Sequence, residues 1–261
     1  MIHELRLFLI ALQFMTRVPV PRRVGFDAEW LSRSARHFAG VGALVGAWGA
    51  AVLWTASLWW PMPVAVGLSM AATLWLTGAF HEDGFADTCD GLGGAVTRER
   101  ALEIMKDSRI GAYGAIGLVA MLGLKAATLA TMPLAAAVPA LVLGHTVSRA
   151  AATALMALLP YAGDPAHAKA KPLAQQVGVA EVVGAALWVG LVCVALLALD
   201  AMAAVVLGMA LAGAAVAAVE CARWLRGRLG GYTGDTLGAT QQITELVLLL
   251  GVLAALRLGP A

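Results

Sequence analysis

Between Phe38 and Phe80 the chain carries no Asp, Glu, Lys or Arg. A soluble helix needs a charged or polar face toward water, and this run has no charge to build one. It is long enough for two helices of roughly 20 residues, the length that crosses a bilayer's hydrocarbon core. Pro61 and Pro63, near its middle, mark the turn between them. Composition agrees: 61% of the 261 residues are hydrophobic and 13% are charged. With so little charge, lipid rather than water must cover most of the surface.

The same alternation continues. Ile110 to Thr131 and Pro133 to Leu159 read as a second apolar hairpin, and Val182 to Leu199 and Ala201 to Val219 as a third that turns at Asp200. Leu246 to Leu256 is a shorter apolar stretch whose helix is expected to begin before Glu245. The reading is an all-α, polytopic helical membrane protein of about seven spans, one integral catalytic unit over residues 1–261. Residues 1–37 form an interfacial or re-entrant segment, too short in its apolar part to span, and residues 38–261 form the bundle.

The hairpin turns hold no Lys or Arg, whereas the N-terminal segment and the stretches 81–109, 160–178 and 220–242 hold nearly all of them, including Lys169 and Lys171. The positive-inside rule puts these four segments, read as loops, on the cytoplasmic side of a bacterial inner membrane. The net charge of +2 says little about partners, and nothing points to nucleic acid. Cys89, Cys193 and Cys221 form no close pair and read as free thiols, two of them in or beside loops.

Chemistry gathers in three stretches. In GAFHEDGFADTCDGLGG, Gly78 to Gly94, Asp83, Asp87 and Asp90 stand at i, i+4 and i+7. On a helix that spacing puts them within about 60° of one another. Carboxylates so crowded repel unless a cation lies between them, and hard oxygen donors suit Mg2+ or Mn2+, whose other positions go to water and phosphate. Gly84 and Gly91 keep bulk away, while His81 and Glu82 point elsewhere on the helix as a base or a partner of the ligands. In ALEIMKDSRIGAYG, Ala101 to Gly114, Lys106 and Arg109 would neutralise a pyrophosphate, and Asp107 is a further candidate base. Arg98 and Arg100 read instead as a basic anchor at the membrane. In GGYTGDTLGATQQITE, Gly230 to Glu245, Gly231, Thr233, Asp235 and Gln241 are candidates for a phosphate or ribose cradle. Arg149, toward the end of the fourth span, is a further candidate for substrate binding. Lys125 lies about fifteen residues into the third span, too deep to reach water easily, and needs a carboxylate, a carbonyl or substrate.

FMTRVPVP at Phe14 to Pro21, FHEDGFADTCDG at Phe80 to Gly91, ALEIMKDSRIGAYG and GGYTGDTLGA together resemble the cobalamin synthase (adenosylcobinamide-GDP ribazoletransferase) family, nearly end to end. The resemblance implies a Mg2+-dependent membrane transferase of late vitamin B12 assembly. Its substrates would be adenosylcobinamide-GDP and α-ribazole or its 5′-phosphate, and GMP would be released. A 5′ oxygen of the ribazole moiety is the expected nucleophile, and self-association of copies is left open. Two rivals stand beside this reading. A CDP-alcohol-type phospholipid phosphotransferase shares the acidic spacing, but its longer D-x-x-D-G-x-x-A-R pattern is absent. A cation-coupled transporter would place its carboxylates near the middle of spans rather than at their ends.

Overall fold

The computed structural model describes residues 2–25, 27–94, 97–163 and 177–258; the basic stretch with Lys169 and Lys171 lies outside them. Every regular element among the described residues is helical. A short helix α1, Ile2–Met15, and α2, Ala28–Ser34, precede the first hairpin, α3 (Phe38–Ser57) and α4 (Met62–Thr77). The acidic motif forms α5, Phe80–Leu92, followed by α6, Arg98–Ile104. Then come α7 (Ala112–Thr131) and α8 (Leu134–Leu158), α9 (Val179–Ala198) and α10 (Ala204–Leu229), and finally α11, Gly234–Leu258.

Among the described residues six helices are long and apolar enough to cross a membrane, or seven if α4 and α5, bent by 90° at their break, count as one span rather than a re-entrant pair. The turns fall where the prolines and Asp200 predict. The last apolar stretch belongs to a full 25-residue helix that starts well before Glu245. Trp59 and Trp60 stand exposed at the first hairpin turn, and Leu187 and Leu191 of α9 are exposed as lipid-facing residues are.

Two stretches read as loops are mostly helix. Residues 81–109 contain α5 and α6, and α10 runs ten residues past Val219 to Leu229. Loss of hydrophobicity at a membrane boundary does not end a helix; loss of helix-compatible backbone does, and the stop comes at Gly230, with φ 72°. The three free cysteines accordingly all lie in helices.

Small residues set the spacing of the bundle. α3 packs most extensively on α8, and a Cβ added at Gly46 would lie 2.7 Å from the Leu141 carbonyl oxygen and the Val142 Cα. Such contact is how membrane helices gain packing where burial of apolar surface drives nothing. The α4–α5 bend is made by Gly78 and Ala79, both with positive φ (70° and 57°). The Ala79 N–H closes it on the Leu74 carbonyl at 3.0 Å. The N-terminal motif buttresses it: Arg17 N–H donates to the Leu76 carbonyl at 2.8 Å, and Phe14 packs between the rings of Phe38 and Phe80.

Candidate active site

At the bend, α5 turns across the bundle and lies on α11 and α7. Its crossing with α11 is backbone on backbone. A Cβ at Gly84 would lie 2.8 Å from the Asp235 carbonyl oxygen, and one at Gly238 would lie 2.8 Å from the His81 carbonyl oxygen. Gly84 is therefore glycine because α11 occupies the space a side chain would need. Asp235, in the first turn of α11, is brought against the acidic helix although the sequence separates them widely. Gly84→Val is expected to force these backbones apart, with loss of activity and about 1–3 kcal/mol or more of stability. Gly123→Ala, where an added Cβ meets nothing within 4 Å, is the control, with both read as thermal midpoints in detergent.

The three aspartates do form one face of α5, but their surroundings differ. Asp83 is exposed and Asp87 half-buried. Asp90 is turned into the protein: its oxygens accept the Gly111 N–H at 2.7 Å and the Gly114 N–H at 2.8 Å, capping the N-terminus of α7. Those bonds tie the Lys106–Arg109 segment to the end of α5. Among the described residues no cluster of three His, Cys, Asp or Glu side chains stands ready to hold a metal. The donor set fits an ion that takes one or two carboxylates and completes its shell with water and phosphate oxygens, as Mg2+ does.

Lys106 and Arg109 are exposed between α6 and α7. Arg109 donates to Asp107 through Nε at 3.0 Å and Nη2 at 2.6 Å. Hydrogen bonds from the Arg109 side chain and backbone lower the Asp107 carboxyl to about 2. Such a carboxylate is a weak base. Arg98, exposed, donates to the Leu229 carbonyl at 2.7 Å and the Ala162 carbonyl at 2.9 Å and so ties α6 to the end of α10. Arg100 pairs with Glu103 on the surface.

The Gly-rich turn spends much of its backbone on the protein itself. Tyr232 N–H donates to the Pro160 carbonyl at 3.0 Å, and Thr233 and Thr236 cap α11 reciprocally through backbone N–H and side-chain oxygen at 2.8 and 3.3 Å. At Gly231 the backbone presses on the Pro160 carbonyl, so that glycine serves close approach. Thr233 and Gly231 thus build the turn that delivers Asp235.

Arg149 and Gln241 lie inside the bundle, at 1% and 0% exposure, away from the exposed face of α5. With His81 and Glu82 they belong to an interior polar layer beneath that helix. Lys125 Nζ lies 2.9 Å from Glu245 Oε1 and donates to Gln242 Oε1 at 2.8 Å. Glu245 Oε2 faces His145 Nδ1 at 3.1 Å, Gln241 donates to Ser148 Oγ at 2.9 Å, and Arg149 Nη1 donates to the His145 carbonyl at 3.0 Å. Gln242 Nε2 reaches Glu82 Oε1 at 2.8 Å. A cavity of about 20 Å³ lies among these side chains. Gln242 and Glu245 as partners of Lys125, and His145 as a partner of Glu245, were not legible from any motif. The available signal was simpler: a cation deep in one span needs an anion at matching depth in another, and Glu245 is such a residue.

The family model described as cobalamin-5-phosphate synthase matches residues 7–253. The chain is 60% identical over 257 residues to the adenosylcobinamide-GDP ribazoletransferase of Leptothrix cholodnii, a match covering 97% of each chain. To the proteins of the same name from Shewanella amazonensis and Vibrio cholerae it is 46% and 41% identical, over 96% and 98% of its length and 95% and 96% of theirs. No solved structure matches it. With four motifs in order, an acidic helix seated on glycines and a match from end to end, the chain belongs to the cobalamin-5-phosphate synthase family.

Proposed function

We propose that this chain joins adenosylcobinamide-GDP to α-ribazole 5′-phosphate or α-ribazole, giving adenosylcobalamin 5′-phosphate or adenosylcobalamin and GMP. The observation that carries the reading is the acidic helix α5, held against Asp235 on one side and tied through Asp90 to the segment bearing Lys106 and Arg109 on the other. Neither the phospholipid phosphotransferase nor the transporter is favoured by the matches. The charge distribution supports an inner-membrane protein whose α5, α6 and α10–α11 turn face the cytoplasm.

The 5′ oxygen expected as nucleophile does not balance for the phosphorylated substrate, because a 5′-phosphate product keeps that oxygen occupied. A ribose ring hydroxyl must attack instead. Its oxygen bonds to the cobinamide-linked phosphorus and its proton passes to solvent, the bridging P–O bond breaks, and GMP departs with the bridging oxygen. In such transfers charge spreads over the phosphoryl oxygens, so positioning and charge neutralisation dominate. Asp83 and Asp87 would hold Mg2+, which supplies positive charge to the pyrophosphate. Asp90 orients the start of α7 rather than joining them. Lys106 and Arg109 grip phosphate from the exposed segment. Of the base candidates, Asp107 is paired with Arg109 and His81 and Glu82 are turned toward the interior polar layer.

Purified protein given adenosylcobinamide-GDP, α-ribazole 5′-phosphate and Mg2+ should release GMP one for one with corrinoid product. No GMP under these conditions, with the protein folded, would reject the reading. Arg109→Lys keeps the charge but loses the guanidinium's fixed fork. It is expected to raise KM for adenosylcobinamide-GDP about tenfold, the worth of one hydrogen bond to a charged group. An unchanged KM would remove Arg109 from the site.

A further inference from the structure

The α5–α11 crossing poses a mechanical problem. Where Gly84 meets the Asp235 backbone and Gly238 meets the His81 carbonyl, two smooth backbone surfaces touch. Close approach is gained, while the side-chain hold on α5 comes further along the helix, from Phe85 clustered with Met121, Ala239 and Leu246 and from Asp90 on the start of α7. Rotation matters because the helix turns 100° per residue, so a modest twist swings Asp83 and Asp87 off their mark.

One turn beyond Gly238 on the same face of α11 stands Gln242, 2% exposed. Its Nε2 donates to Glu82 Oε1 at 2.8 Å, and Glu82 is the immediate neighbour of Asp83. Among the described residues the other Glu82 oxygen is buried without a hydrogen-bond partner, and Gln242 is the group that bonds this side chain. An amide can be turned either way round, yet here its direction is set by charge. Gln242 Oε1 accepts from the Lys125 ammonium at 2.8 Å, so Nε2 must face the carboxylate. Lys125 is itself held from α7 by Glu245 of α11. A chain of alternating donor and acceptor therefore runs from α7 through α11 to α5, buried at Lys125, Glu245 and Gln242 and half-buried at Glu82.

We infer that Gln242, oriented by the Lys125–Glu245 pair, is a positioning residue that fixes the rotation of α5 and so aims Asp83 and Asp87. Buried polar groups elsewhere set register at a cost in stability, and here the register is that of the first turn of α5, which bears Glu82 and Asp83 and lies before the Phe85 packing and the Asp90 cap. The inference rests on the reading that α5 carries the reactive carboxylates.

Gln242→Met preserves volume and leaves Lys125–Glu245 paired. It is expected to lower kcat about tenfold, the worth of one hydrogen bond to a charged group, with KM for adenosylcobinamide-GDP unchanged. The Mg2+ concentration for half-maximal activity should rise several-fold. A merely structural role would lower the thermal midpoint and the active fraction without moving the Mg2+ response. Gln242→Glu sets two carboxylates against each other and should be worse. Combining it with Glu82→Gln restores donor facing acceptor, with Lys125 still supplied with an oxygen, and should recover most of the lost kcat. Wild-type kcat and Mg2+ response in Gln242→Met, or no recovery in the swap, would overturn the inference. Asp87→Asn in the same assay separates the two levels. If it remains active, the site reading fails; if it is dead while Gln242→Met is normal, only the positioning role fails.

Discussion

Asp87→Asn is expected to cut turnover by on the order of a hundredfold or more while the protein still accumulates, folded, in the membrane. Asn keeps the size and one oxygen but removes the charge. Two negative groups, an α5 carboxylate and the substrate pyrophosphate, then no longer share a cation with the same affinity. Asp83→Asn should behave alike, with part of its loss recovered at high Mg2+. Asp90→Asn should differ in kind. The Asp90 carboxylate accepts two backbone N–H groups at the start of α7, and an amide can retain at most one of those bonds through its oxygen. Its variant should therefore lose thermal stability as well as activity, with no rescue by Mg2+. Equal, purely catalytic losses at Asp83, Asp87 and Asp90 would show that all three act alike, against the distinction drawn here.

That distinction marks the limit of what helical spacing conveys. The i, i+4, i+7 pattern places three carboxylates on one face, and α5 realises it. Spacing is silent on what lies opposite, and for Asp90 that is a helix N-terminus twenty-one residues further on. The spans were legible because hydrophobic length and proline are local signals. The stretches between them were misread as loops because amphipathic helix at a membrane surface is as charged as loop. Asp235 beside Gly84 is a tertiary fact with a faint trace in sequence: glycines one on each partner, with no local turn to explain either. Thr233 and Gly231 looked like a phosphate cradle because hydroxyls and glycines that bind anions are the same ones that cap helices and allow close approach.

Lys125→Met should produce the largest loss of stability among the substitutions considered. Lys125 and Glu245 are 5% and 1% exposed, and their atoms approach to 2.9 Å. Removing one member leaves the other charge buried without its ion-pair partner, a change that typically costs about 3–5 kcal/mol. For a chain of this size that is roughly a 10 °C fall in thermal midpoint, measurable in detergent through the tryptophan fluorescence. Glu245→Gln should cost a similar amount, because Lys125 would lose its carboxylate and His145 its facing oxygen. The double variant is the sharper measurement. With neither charge to solvate, Lys125→Met with Glu245→Gln should lose clearly less than the sum of the single losses, since the two groups touch and their effects are coupled. Additive losses would mean that each residue answers to other neighbours. A wild-type midpoint in Lys125→Met would mean that the ammonium is not buried in the working protein, and the interior layer beneath α5 would lose its central pair.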